Sequence, residues 1–301
     1  MNVLTVTTPI FLLIALGFFA TRAEWISQSE TRALGAFVLR FAMPALIFKA
    51  LSSRPLAEIA DARLIGAYAI ASAVSFGLVF TLYASGERRR AAMRALGGSA
   101  PNSGFVGFPV ASLLIGPQAA IGLAMCLIVE NVMTLPLGLT LAESGGDGGG
   151  LGGRALLLRL VRNPLLIAIA IGVAASLAGF RPPAPVGRAI DVLAAAAPAA
   201  ALIAIGGALV GSRVGGALLD IAPVAAAKLV LHPLLMLGLT HLLGGGDPQV
   251  RRAMLVMSSS PVFSIYPLIS RQYGQEQTGA AILLVETALA FPTMSAWALL
   301  F

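Results

Sequence analysis

The chain has 301 residues, of which 58% are hydrophobic and 11% charged, with a mean hydropathy of +0.90. Soluble domains carry roughly 25% charged residues, so a water-soluble globule of this length is excluded. The net charge of +7 would also suit a nucleic-acid binder, but the basic residues stand singly or in short clusters between apolar runs, as they do in membrane loops, and no nucleic-acid partner is expected.

A transmembrane helix takes about 20 apolar residues to cross about 30 Å of hydrocarbon, so ten helices leave about 80 residues for connections. The apolar runs predict spans at 3–21, 33–52, 63–85, 93–115 and 119–142, then at 160–180, 189–211, 217–243, 252–270 and 277–300. The first run has no basic residues before it and Arg22 after it, which reads as a spanning helix and not a cleaved signal peptide. Cys126, the single cysteine, lies inside an apolar run and reads as a small buried residue. Between spans five and six, Glu143 to Arg154 is mostly glycine and reads as a flexible linker. It follows no strand and lacks the Lys-Ser/Thr of a phosphate loop, so no nucleotide or other cofactor is expected.

Loop arginines orient the chain. With the amino terminus outside, the inner loops hold Arg22, Arg32, Arg88, Arg89, Arg90, Arg94, Arg154, Arg159, Arg162, Arg213 and Arg271. The outer loops hold Arg54, Arg63, Arg181, Arg188, Arg251 and Arg252. Positive-inside bias therefore places both termini outside and the linker in the cytoplasm.

The two halves repeat. Arg89-Arg90-Ala-Ala-Met93 answers Arg251-Arg252-Ala-Met254, and Gly107-Phe-Pro109-Val110 answers Ile265-Tyr-Pro267-Leu268. Val129-Glu130-Asn131 with Pro136 answers Val285-Glu286-Thr287 with Pro292. Five spans is an odd number, so the second copy enters the membrane inverted. The expected fold is an all-α polytopic membrane protein of ten transmembrane helices. Residues 1–142 form the first five-helix repeat, 143–158 the linker and 159–301 the second, inverted repeat.

Spans four and nine carry the chemistry. One contains Pro101, Asn102, Ser103, Gly104 and Pro109, the other Ser258, Ser259, Ser260, Pro261, Ser264 and Pro267. Proline removes a backbone donor, so both spans should be interrupted, and interrupted helices at repeat-related positions mark a binding site. Half-helix amino ends suit an anionic group such as a carboxylate. Asn102, Ser103, Ser258, Ser259, Ser260 and Ser264 can add hydrogen bonds. Glu130 and Glu286, with Asn131 and Thr287 beside them, are ionisable or polar at membrane depth and are candidates to carry a coupling proton. Lys228 and His232 share a face of span eight and can support them. Arg40 and Lys49, toward the ends of span two, read as snorkelling.

The chain resembles the auxin efflux carrier family, in particular its bacterial malonate or malate permease-like branch. The residues concerned are Phe41-Ala-Met-Pro44-Ala-Leu-Ile-Phe48, the Asn102-x4-Gly107-x-Pro109 element, Lys228-x4-Pro233, Pro261 and Arg271-Gln-Tyr273-Gly274. The resemblance implies ten helices divided into a scaffold part and a transport part, with broken helices four and nine crossing at the site. It also implies an elevator-like cycle, organic anions as substrates and a bacterial inner-membrane location, and it carries binding roles to Asn102, Pro109, Pro261 and Lys228. The plant branch has an acidic residue in its third helix, whereas span three here offers Ser72 and Ser75, which leaves Glu130 or Glu286 as substitutes. The plant branch's long central loop, and with it regulation by loop phosphorylation, is absent.

The sequence therefore reads as a secondary carrier of mono- or dicarboxylates, coupled to a proton or driven by the substrate gradient. The alternative is a sodium-coupled organic-anion symporter with bile-acid-transporter-like architecture, which would use oxygens of Asn102, Asn131, Glu130, Glu286 and Thr287. Neither a nucleophile-base-acid set nor a paired His-Glu metal motif is present, so no enzyme and no resident metal are expected. A purely sensory protein would need a docking domain. Gly/Ala-rich spans six and seven could support a homodimer within the bilayer.

Overall fold

The computed structural model describes residues 3–53, 61–144, 158, 161–211, 218–244 and 246–300. The Gly-rich linker at 145–157 and Arg54, Arg154, Arg159 and Arg213 lie outside them. The described residues are helical and contain no strand beyond one isolated bridge between Pro101 and Val262. In chain order the helices are α1 (Val3–Arg22), α2 (Gln28–Ser52), α3 (Ala62–Leu82), α4 (Arg88–Gly97), α5 (Ser103–Ile115) and α6 (Ala119–Glu143). They continue with α7 (Pro164–Leu177), α8 (Ala184–Ala208), α9 (Asp220–Leu243), α10 (Pro248–Ser258), α11 (Tyr266–Gln272) and α12 (Glu276–Ala298). Six of them (α2, α3, α6, α8, α9 and α12) are long and apolar enough to cross a membrane. The segments expected as spans four and nine are each divided, into α4 with α5 and α10 with α11.

Local chemistry accounts for the helix starts. Ser27 and Glu30 form a reciprocal capping box on α2, and the side chains of Asp61, Asn163 and Asp247 accept from the first free N–H groups of α3, α7 and α10. Four helices accommodate an internal proline by widening. The residue before Pro44, Pro109, Pro136 or Pro233 donates instead to the carbonyl five residues back: Met43 to Val38, Phe108 to Ser103, Leu135 to Glu130 and His232 to Ala227. Such π turns leave carbonyls that need other donors. In α9, the carbonyl of Leu229, four residues before Pro233, accepts from the Trp297 indole N–H of α12 at 3.0 Å.

The helices pack as two groups. In one, α8 lies against α1 and α2, and α7 lies against the second half of α2. The α1–α8 contact is backbone to backbone: a Cβ on Gly17 would stand 2.1 Å from the Ile203 carbonyl oxygen, and one on Gly206 would stand 1.9 Å from that of Ile14. Gly172 and Gly207 are likewise filled from within the chain, by Leu51 and by Thr21 and Thr31. The small residues expected to serve a homodimer in spans six and seven are thus partly committed to intrachain packing. In the other group α3 packs on α4 and α9, α10 packs on α5 and α6, and α12 packs on α9 and α11. The groups meet where α2 and α8 face α5 and the start of α6. Along this contact Lys49 does not only snorkel; it pairs with Asp191 of α8 at 2.6 Å. Large apolar side chains face outward, including the row Ile70, Val74, Leu78 and Leu82 on α3, as suits a hydrocarbon solvent.

Candidate functional site

The two interruptions meet. Beyond Gly97 the chain turns out of the helix toward Pro101 and Asn102, and beyond Ser258 it turns toward Val262, where Pro101 and Val262 bridge antiparallel. The Asn102 N–H donates to the Pro261 carbonyl at 2.6 Å, so each break satisfies part of the other's backbone. Asn102 caps α5, its side-chain oxygen accepting from Phe105 N at 3.3 Å and its amide donating to Ser264 Oγ at 2.7 Å. The close approach depends on Gly107, since a Cβ there would stand 2.9 Å from Met257 Cα.

Each break is supported by a carboxylate, and the two are not used alike. Glu286, fully buried, accepts from the Val262 N–H at 2.7 Å through one oxygen, while its other oxygen has no partner among the described residues. Glu130 lies in the π turn of α6, and its Oε1 accepts from Tyr68 Oη at 2.6 Å and from Ser103 Oγ. Behind the crossing, fully buried Lys228 occupies the π turn of α9. Its Nζ donates to the Ser258 carbonyl at 2.5 Å, closing the end of α10, and lies 3.3 Å from His232 Nδ1. His232 Nε2 in turn stands 3.1 Å from Ser72 Oγ.

A cavity of about 160 Å³ opens beside the crossing. Asn102, Ser103, Gly104, Glu130, Asn131 and Ser264 supply its polar wall, and Leu39, Phe105 and Phe263 its apolar one. Asn131 is tied down by donating to the Leu127 carbonyl and by accepting from Asn163 Nδ2 at 2.8 Å, a bond that joins α6 to the cap of α7. On the other flank Pro261 and Thr287 line an apolar space of about 210 Å³.

Asn102, Ser103, Gly104, Ser264, Glu130 and Asn131 of the sequence-derived set therefore come together on one cavity. Others do not. Ser259 and Ser260 are buried and turn back on their own helix, donating to the carbonyls of Val256 and Met257 in its last turn. Pro109 lies in the second turn of α5, just after its π turn and outside the cavity wall. Pro261 contributes its carbonyl to the crossing and its ring to the opposite flank. Span three offers more than Ser72 and Ser75: Tyr68, which the sequence reading passed over, holds Glu130. A tyrosine buried mid-span, away from the interfacial belts, is the signal that could have pointed to it. Asn163 was missed because it reads as a loop residue.

Comparison with known proteins yields consistent matches. A family model described as "Membrane transport protein" matches residues 2–148 and 153–298. A protein named "Putative malonate transporter" from Rhizobium meliloti (strain 1021) is 31% identical over 294 residues, covering 95% of this chain and 92% of that one. "Uncharacterized transporter YfdV" of Escherichia coli (strain K12) is 28% identical over 297 residues, covering 96% and 94%. An uncharacterized transporter of Methanothermobacter thermautotrophicus is 27% identical over 244 residues, covering 78% and 77%.

Proposed function

The chain belongs to the membrane transport protein family, the grouping of the auxin efflux carriers it resembles, and from that premise we propose that it is a secondary carrier of small organic anions, coupled to protons through Glu130. Its relatives are transporters, and its activity is transport and not chemical turnover. The observation that carries the reading is the meeting of two interrupted helices at Pro101 and Val262 beside a cavity holding Asn102 and Glu130. The amino end of α5, with its free N–H groups and the Asn102 amide, offers a carboxylate hydrogen bonds that need no counter-cation.

The size of the cavity narrows the substrate. About 160 Å³ is well below the roughly 300–1,000 Å³ of clefts for drug-sized ligands, which favours a compact acid such as malonate over an indole carboxylate. A relative bearing a malonate transporter's name supports the same choice.

Coupling follows from charge. Glu130 and the substrate carboxylate share one small cavity, where like charges repel, so a proton taken up by Glu130 makes room for the anion. Glu286 instead holds the Val262 N–H and stabilises the second break. The two helix groups then supply an elevator cycle, in which α3 to α6 and α9 to α12 slide past α1, α2, α7 and α8. The ten-span inverted repeat, both termini outside and a bacterial inner membrane complete this reading, resting on the repeat, the arginine bias and the bacterial relatives.

Uptake of labelled malonate and of an indole carboxylate into proteoliposomes tests it. The expected result is saturable malonate uptake that rises with an inward proton gradient, persists when choline replaces sodium and exceeds uptake of the indole acid. Dependence on sodium would replace the proton by the alternative coupling ion, and absence of uptake of both acids would overturn the substrate class.

A further inference from the structure

The cavity beside Asn102 shares part of its wall with a second space. Leu39, Asn131, Leu165 and Ile265 also line an adjoining space of about 520 Å³ whose remaining wall is Leu158, Arg162, Asn163 and Pro164. The hydrogen-bonded Asn131–Asn163 pair and Arg162 both line this outer space. Among the described residues lining the two spaces, Glu130 is the one acid and Arg162 the one base. Arg162 is exposed, and no ion pair ties it to an acid among the described residues.

The inner space provides for one carboxylate only. The Asn102 amide, the α5 amino end, the Ser264 hydroxyl and Glu130 once protonated for anion binding are all uncharged groups. A second carboxylate on the same molecule has no favourable partner there, while a guanidinium at the mouth offers two parallel N–H donors in carboxylate geometry. We infer that Arg162 is the specificity-determining residue for dianions, receiving the outer carboxylate of a short dicarboxylate whose inner carboxylate meets Asn102. This inference rests on the organic-anion reading above and adds to it the residue that separates dicarboxylates from monocarboxylates.

The experiment compares proteoliposomes of the full chain carrying Arg162, Arg162→Gln or Arg162→Lys, reading the KM of malonate against that of propionate in each. Arg162→Gln should raise the malonate KM relative to the propionate KM by about tenfold, the scale of one lost charge-assisted pair, and Arg162→Lys should recover part of the difference. The residue is exposed, so the glutamine variant should purify as the wild type does; if it does not, the ratio in the lysine variant, intermediate or not, decides. An unchanged ratio, or an equal change for both acids as a contact with lipid headgroups would give, overturns the inference while leaving the carrier intact. Failure of wild-type chains to transport either acid would overturn the underlying reading, and the inference with it.

Discussion

Glu130 and Glu286 each follow a valine and precede a proline six residues on, yet they meet different partners. Glu130 takes hydroxyl donors from Tyr68 and Ser103 at a cavity wall, whereas Glu286 takes a backbone N–H in a closed core. The account therefore expects unequal effects of the same substitution. In Glu130→Gln the side chain keeps its volume and loses the ability to gain a proton, so malonate uptake should lose its dependence on the proton gradient while counterflow survives. Glu286→Gln keeps an oxygen for the Val262 N–H and should retain gradient-driven uptake. Removing that acceptor altogether, as Glu286→Ala, strands a buried donor and should lower stability by about 1–3 kcal/mol, read as a lower melting temperature in detergent. Residue identity in the sequence pointed to both acids because charge at membrane depth is rare. It did not separate them, since the partners come from α3 and from the crossing, far away in the chain. The same limit explains Ser259 and Ser260: a hydroxyl near a broken helix can face a ligand or its own last turn, and rotamer choice is decided by packing.

At the scale of the element, proline marked where segments four and nine would break, but the sequence reading did not extend to Pro44, Pro136 and Pro233, at which other helices deform. What the spacing could not show is the form of the deformation, a widened turn whose freed carbonyls are met from other helices, as Trp297 meets Leu229. Three of these turns hold residues of the site: Ser103 in α5, Glu130 in α6 and Lys228 in α9. Glycine is the second element-level device. Gly107→Ala places a methyl 2.9 Å from Met257 Cα, and the resulting separation of α5 from α10 should cost about 1–3 kcal/mol and depress malonate uptake by disturbing Asn102. Gly206→Ala meets the Ile14 carbonyl of α1 at 1.9 Å and should lower the melting temperature as well. Unchanged melting temperatures in both variants would remove close backbone packing from the account.

For the whole molecule, the division of segments four and nine was legible because each carries two prolines, and the proposed inverted repeat rests on Arg, Glu and Pro recurring in order in both halves. The grouping of helices was not legible, since it depends on which small residues face each other across the bilayer. Asn131 of α6 and Asn163 at the start of α7 stand on opposite sides of the boundary between the groups. If the groups slide, joining them must stop the cycle. In a Cys126→Ala background, a short bifunctional thiol reagent linking Asn131→Cys to Asn163→Cys should abolish uptake, and a cleavable linker should restore it on reduction. Full uptake by the linked protein would exclude relative motion at this boundary.

The most direct test of the central claim is malonate counterflow in proteoliposomes carrying wild-type protein or Asn102→Ala. Counterflow requires an alternating binding site but neither a coupling ion nor a gradient, so it isolates the crossing itself. The account predicts a transient overshoot of labelled malonate with wild-type protein and none with Asn102→Ala, although the variant remains monodisperse in detergent. An equal overshoot in the variant would contradict it, because the anion would then be carried at a place other than the meeting point of the two interrupted helices.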